Sequence, residues 1–213
     1  MITRIILARH GETQWNKEGR YQGQIDTDLS DKGYEQAKLL GEALKNVHID
    51  HIYASPLKRA YETAYAVAKL KSMEVQQIEG ITEINHGKWE GMLAKEIAEE
   101  YGELVNQWHT NPRDVQMPDG ENLYDVQSRA METLKEIVAN HHGETVLIVS
   151  HDATLKAIIC GVLEIDLKNF WQIKQDNTCI NVLEFVNDTC RIQLLNDTCH
   201  MDQLFTSIEQ AAL

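Results

Sequence analysis

The sequence predicts an α/β fold: a three-layer α/β/α sandwich with a mostly parallel central sheet and a small cap insertion. Three observations predict it. Short apolar, β-branched runs alternate with longer stretches of helical apolar spacing, the pattern that builds a parallel sheet flanked by helices. The clearest runs, Thr3 to Ala8 and Thr145 to Ser150, lack polar alternation, as strands covered on both faces do. Residues able to do chemistry (Arg9-His10, Ser55 to Arg59, Glu83, His151) each follow a predicted strand, and such sheets bind ligands beyond the carboxyl ends of their strands.

In chain order, Thr3 to Ala8 is the first strand, and residues 9–28 are polar and punctuated by Gly11, Gly19 and Gly23, hence loop. Ser30 can cap a helix to about Val47, with Ala37, Leu40, Gly41 and Leu44 on one face. His51 to Ala54 is a second strand. Ser55-Pro56 reads as an N-cap with proline next, at the first helical position, opening a helix to about Leu70. Val75 to Ile78 is a third strand. Residues 83–121 read as the cap over the mouth of the sheet, with a helix near Leu93 to Trp108 and a loop marked by Pro112, Pro118 and Gly120. Leu123 to Asn140 is a long helix with Val126, Ala130, Leu134 and Ile137 inward. Thr145 to Ser150 then feeds His151 and a helix to about Val162. Cys179 to Val186 and Arg191 to Leu195 form a hairpin around Asn187-Asp188, and the last dozen residues read as a frayed tail. No linker divides the chain, so residues 1–213 are read as one domain.

Composition narrows the function. A formal net charge of -13 disfavours nucleic acid and acidic membrane as partners, though a few arginines in a cleft can still attract a small anion. No stretch reaches transmembrane length, and the apolar run before Arg9-His10 is too short for a signal peptide, so a cytoplasmic protein is expected. The four cysteines form no C-x-x-C pair and read as idle thiols of a reducing compartment. Cys199 and His200, being adjacent, are poorly placed to share one zinc ion.

His10 by itself allows a nucleophile, a base, a metal ligand or a structural residue. Its neighbours favour an anion site: Arg9 offers a forked guanidinium suited to phosphate oxygens, and Gly11 permits close backbone approach. The segment Leu7-Ala8-Arg9-His10-Gly11-Glu12-Thr13 with Trp15-Asn16 closely resembles the signature of the histidine phosphatase superfamily, in its phosphoglycerate mutase-like branch. The resemblance continues, in the family's order, through Gln22-Gly23, Asp28-Leu29-Ser30, Gly33 and Gln36-Ala37. It then takes in Ser55 to Ala60 with Glu62-Thr63-Ala64, Glu83, Gly87, Trp89-Glu90-Gly91, Pro118, Gly120-Glu121 and Val149-Ser150-His151.

The resemblance implies roles. His10 corresponds to the residue phosphorylated in turnover, and a hydrogen bond from one ring nitrogen to a backbone carbonyl would fix the tautomer it needs. Arg9, Arg59 and His151 match the groups that ring the phosphate. Asn16, Gln22 and Gly23 match further phosphate contacts, and Glu83 matches the proton donor, with Glu12, Glu79 and Glu90 as competitors. Asp152 stands beside the site where the family commonly has glycine. It is counted with the substrate-binding residues, and it can cap the helix that begins there; catalysis is expected to stay intact, with substrate preference altered. Trp15, Trp89 and Trp108 can line the pocket or pack in the core, and His86 reads as a cap residue. His48, His51, His109, His141, His142 and His200 read as surface residues.

The implied activity is hydrolysis of a small phosphomonoester through a phosphohistidine, without metal or cofactor, by a monomer or homodimer. Phosphoserine, phosphoglycerate, sugar phosphates and ribazole phosphate are the substrate candidates. The alternative within the family is a mutase, which must hold a second phosphate. The mutases resembled carry paired arginines after a cap tryptophan, whereas this chain reads Trp108-His109-Thr110-Asn111-Pro112-Arg113, with Glu96, Glu99, Glu100 and Glu103 before it. A two-metal hydrolase built on His10, Glu83, His86 and His151 lacks the usual ligand spacings. A non-catalytic phospholigand sensor would not need every catalytic position filled.

Overall fold

A computed structural model describes residues 1–186 and 189–202. The chain runs through β1 (Ile2–Arg9), α1 (Gln14–Glu18), α2 (Asp31–Leu44), β2 (His51–Ala54), α3 (Lys58–Lys71) and β3 (Gln76–Gln77). It continues through α4 (Ala94–Glu100), α5 (Gly102–Thr110), α6 (Leu123–Asn140), β4 (Thr145–Ser150), α7 (Asp152–Val162), β5 (Ile180–Val186) and β6 (Thr189–Asp197). The sheet order is β3-β2-β4-β1-β5-β6. β1, β2, β3 and β4 are mutually parallel, and β5 and β6 extend the sheet by antiparallel pairing.

The layers arise from alternation along the strands. Successive strand side chains point to opposite faces. Ile6 and Ala8 of β1 therefore join Leu147 and Val149 of β4 against Leu40 of α2 and Ala60, Ala64 and Val67 of α3. Ile5 and Leu7 join Val146 and Ile148 against Ala130, Leu134 and Ile137 of α6 and Leu155 and Ile158 of α7. Each fully buried leucine or isoleucine here contributes about 2 kcal/mol of transfer free energy. A third cluster gathers Trp89, Ile97 and Trp108 from residues 83–121 against Ala153, Ala157 and Phe170, so both tryptophans are core residues and not pocket lining.

Several local expectations are corrected. The loop at residues 9–28 contains α1, started by a capping box between Thr13 and Asn16. The third strand shrinks to Gln76–Gln77, because β2 is itself short and offers only Tyr53 and Ala54 as partners. The expected helix near Leu93 to Trp108 is two helices, broken where Tyr101 leaves helical backbone ahead of Gly102. α3 starts at Lys58 and not at Pro56: Ser55 does not cap it, and Asp26, from the loop before α2, accepts from Lys58 N at 2.8 Å. The turn at Asn187-Asp188 and the tail from residue 203 lie outside the described residues. Among the described residues no helix is long and apolar enough to cross a membrane.

Candidate active site

β1 delivers His10. Its backbone N–H donates to Ser150 O at 3.0 Å, carrying the β1–β4 ladder one residue beyond the strand. A Cβ on Gly11 would stand 2.6 Å from the carbonyl oxygen of Gly33, so glycine is required here by the close approach of α2 and not by a ligand. Gly11 N donates to Thr63 Oγ1, which ties the turn to α3. The His10 ring contacts Gly11 O through Nδ1 at 2.7 Å. A carbonyl only accepts, so the proton sits on Nδ1 and the lone pair on Nε2. Burial, then Arg59 and Arg9, hold the His10 pKa well below the usual imidazole value, so the ring stays neutral.

Two guanidinium groups accompany it. Arg9 ends β1 and donates to Gln175 O at 2.6 Å. Arg59, in the first turn of α3, donates to Gly23 O and Ile25 O at 2.7 and 3.0 Å. Its burial lowers the guanidinium pKa to about 10, still charged at neutral pH. The Nε atoms of Arg9 and Arg59 and both ring nitrogens of His151 are buried without a hydrogen-bond partner among the described residues. Such groups are costly unless a ligand satisfies them, and four that are cationic or dipolar suit an anion. His151 comes directly after β4, with its ring centroid 5.1 Å from that of His10. Burial, then Arg59, keep it neutral as well.

Glu83 enters from the segment after β3. Its carboxyl faces Ile84 N at 3.0 Å and the first-turn amides of α7, Thr154 N at 3.3 Å and Ala153 N at 3.4 Å. Burial, then the charge of Asp152, raise its pKa, so it holds a proton at higher pH than an ordinary glutamate. Arg129 of α6, which carries no signal in the sequence, fixes the backbone here. It donates to the carbonyls of Gly80, Thr82 and Glu83 while paired with Glu121. The competing carboxylates are otherwise engaged: Glu12 with Lys32 and Ser30, Glu90 with Gln24 N and His86 N, while Glu79 is exposed.

Asp152 is not the expected cap and does not line the cleft. It is 1% exposed and pairs with Lys156 of the next turn at 2.8 Å and with Arg9 at 3.6 Å. Lys156 is buried too, its ammonium against Phe170 and Trp171, and neutralises the carboxylate where a bare charge would repel phosphate.

Arg9, His10, Asn16, Arg20, Gln22, Gly23, Arg59 and Glu83 line one cleft. The Oδ1 of Asn16 accepts from Thr13 N and the Oε1 of Gln22 from the Thr13 and Thr27 hydroxyls, which leaves their amide NH2 groups on the other side. Arg20 adds to the residues expected from the sequence. It is held against Trp15 and by Gly91 O, and its one sequence signal is its place in the same glycine-marked loop as Asn16 and Gln22. Of the residues weighed as metal ligands, His86 is packed against Tyr21 and the core tryptophans and does not line the cleft.

A fold that brings two buried guanidinium groups and the neutral His10 imidazole to one cleft, with the His151 ring packed on His10, suits a phosphoryl-handling enzyme. The histidine phosphatase superfamily (branch 1) model matches residues 5–198, and the chain belongs to that superfamily. It is similar to phosphoserine phosphatase 1 of Hydrogenobacter thermophilus, 40% identical over 99% of this chain and 100% of the relative. It is also similar to a metal-independent phosphoserine phosphatase of Arabidopsis thaliana, 33% identical over 95% of this chain and 85% of the relative. Among solved structures, Bacillus stearothermophilus YhfR superposes with a TM-score of 0.90 at 34% identity, covering 93% of this chain and 99% of the other. These likenesses make the chain a phosphoric monoester hydrolase of the histidine phosphatase type, acting on a small phosphorylated metabolite.

Proposed function

We propose that the chain hydrolyses phosphoserine or a close carboxylate-bearing phosphomonoester through a phosphohistidine on His10. The observation that carries this reading is the His10 ring: buried, neutral, with Nδ1–H fixed on Gly11 O and its Nε2 lone pair beside Arg9 and Arg59. Nε2 attacks phosphorus as the P–O bond to the alcohol breaks, and protonated Glu83 gives its proton to the leaving oxygen. Arg9, Arg59 and His151 stabilise the transferring group, with Asn16, Gln22 and the Gly23 backbone as further contacts. Glu83, now a carboxylate, takes a proton from water. That water attacks phosphorus, the N–P bond breaks, and inorganic phosphate leaves. The positive charge a metal would bring is supplied by the two guanidinium groups, so the reaction proceeds in chelator. Two phosphoserine phosphatases among the relatives support the substrate.

A specific observation favours hydrolysis over mutase chemistry. The three cations in residues 83–121 are each engaged: Lys88 with Asp119, Lys95 with Glu99, and Arg113 with Asp114 and Asp166. None of the three lines the cleft.

Turnover of phosphoserine, 3-phosphoglycerate, sugar phosphates and ribazole phosphate in excess chelator tests the proposal, together with rapid-quench labelling. Phosphoserine is expected to lead, and acid-labile, base-stable phosphate to appear on His10. His10→Ala is expected to reduce turnover to background while remaining folded. Near-normal activity of that variant, or isomer exchange on 3-phosphoglycerate without phosphate release, overturns the reading.

A further inference from the structure

The opposite end of the same strands carries a second histidine–carboxylate cluster that the phosphatase chemistry does not use. His51 begins β2, His141 ends α6 and Glu144 immediately precedes β4. One Glu144 oxygen, Oε2, lies 3.1 Å from His51 Nε2 and 2.8 Å from His141 Nδ1. The three donor atoms fall within 4.8 Å of one another. β4 is six residues long, so at about 3.3 Å per residue this cluster is about 20 Å from the active site.

We propose that His51 Nε2, His141 Nδ1 and Glu144 form a binding site for a divalent transition metal of the zinc class, distinct from the catalytic site and not needed for turnover. Two imidazoles and one carboxylate with an open fourth position suit such an ion and not magnesium or calcium, which take oxygen ligands. Bonds of about 2.0–2.2 Å to a tetrahedral ion place ligand atoms about 3.3 Å apart, close to the two separations present. The site is supported from outside. His141 Nε2 is 2.9 Å from the Tyr53 hydroxyl. With a metal on Nδ1, the proton moves to Nε2 and donates to Tyr53 Oη, the outer contact that commonly orients a metal-bound histidine.

The backbone that carries the ligands is tied down on both sides. Thr3 Oγ1 donates to His141 O and accepts from Gly143 N, and Arg4 N donates to Glu144 O. Asp50 and Thr145 exchange two bonds, Asp50 N to Thr145 O and Thr145 N to Asp50 Oδ2, both at 2.8 Å. The ligands are also reachable, with side-chain exposures of 33% for His51, 11% for His141 and 40% for Glu144. A bound ion would join β2 to the α6–β4 turn and add stability without touching the cleft.

The test uses the full chain stripped with chelator and then freed of it. Titration with Co2+ is expected to give visible absorption of tetrahedral intensity, saturating at one ion per chain and bleached by Zn2+. Zinc at a hundredfold excess over its Kd is expected to raise Tm by about 5–10 °C. His51→Ala and Glu144→Gln should lose both responses while keeping wild-type phosphatase activity in chelator. Glu144→Gln, a change at an exposed side chain, serves if His51→Ala does not fold. His10→Ala should keep both responses. Absence of the cobalt spectrum in the wild type, its survival in Glu144→Gln, or its loss in His10→Ala overturns the proposal.

Discussion

At the carboxyl ends of β1 and β4, His10 and His151 lie with ring centroids 5.1 Å apart, enclosed, with Arg9 and Arg59 beside them. At the amino ends of β2 and β4, the His51 and His141 rings lie 4.0 Å apart, partly open to water, and share one glutamate oxygen. Each site also has a glutamate, yet Glu83 is held by backbone amides whereas Glu144 bridges two imidazoles directly. The residue types are the same and the surroundings reverse their use. Guanidinium groups and lost solvent keep the first pair neutral and turned toward an anion. A carboxylate placed between the second pair turns it toward a cation.

The contrast depends most on what Glu83 does, and removing its proton is the strongest way to break it. Glu83→Gln keeps the shape and removes the titrating group. Turnover of alkyl phosphates should fall by about 10²–10⁴-fold, and that of activated aryl phosphates far less, because only the poor leaving group needs the proton. The pH profile sharpens the assignment. With Glu83 as the proposed donor, wild-type activity should fall as pH rises through the raised Glu83 pKa. With His10 as the proposed nucleophile, it should also fall as pH drops through the lowered His10 pKa. The Gln variant should lose the high-pH limb and keep the low one. Equal slowing of both substrate types would make Glu83 a positioning group.

A smaller effect is expected one layer out. Arg129 holds the carbonyls on which Glu83 stands. Arg129→Met should lower kcat for alkyl phosphates by about 10²-fold, the scale of a misplaced catalytic group, with KM little changed. It should also spare aryl phosphates as Glu83→Gln does. Uniform loss on both substrate classes would show a general structural role instead.

Arg9, His10, Arg59 and His151 follow apolar runs that read as strands, which places them at one edge of the sheet; their roles, and those of Asn16, Gln22, Gly23 and Glu83, are legible only through the family resemblance. Arg129 is invisible because its partners lie 46 to 49 positions earlier and a mid-helix arginine ordinarily reads as solvated. Asp152 reads as a cap because nothing local says that α7 is buried from Asp152 to Cys160. Its four-residue spacing to Lys156 is a pairing signal, but one that surface helices share. Ser55 fails as a cap for a similar reason: Asp26, distant in sequence, reaches the helix first. His141 reads as a surface residue because its contact with Tyr53 arises only when α6 docks on the sheet.

The mildest effect concerns the fold itself. His10 and His151 are buried with pKa values held well below the ordinary 6.5. Below that value the unfolded chain takes up protons that the native protein refuses, so unfolding free energy falls as pH drops. Each such group contributes a slope of at most about 1.4 kcal/mol per pH unit, and the two together at most about 2.7. Glu83 acts in the opposite sense. Its raised native pKa means the folded protein binds that proton more tightly, which returns stability as pH falls through it. Above its raised pKa the buried carboxylate is a cost. Urea unfolding at about pH 7.5, 6.5 and 5.5 separates these contributions. The wild type should lose stability from the second to the third condition, His10→Asn should lose roughly half as much, and Glu83→Gln should lose more than the wild type. An unchanged slope in His10→Asn would mean that the ring is protonated in the native protein. It would then have no lone pair to offer phosphorus, and the contrast between the two ends of the sheet would disappear.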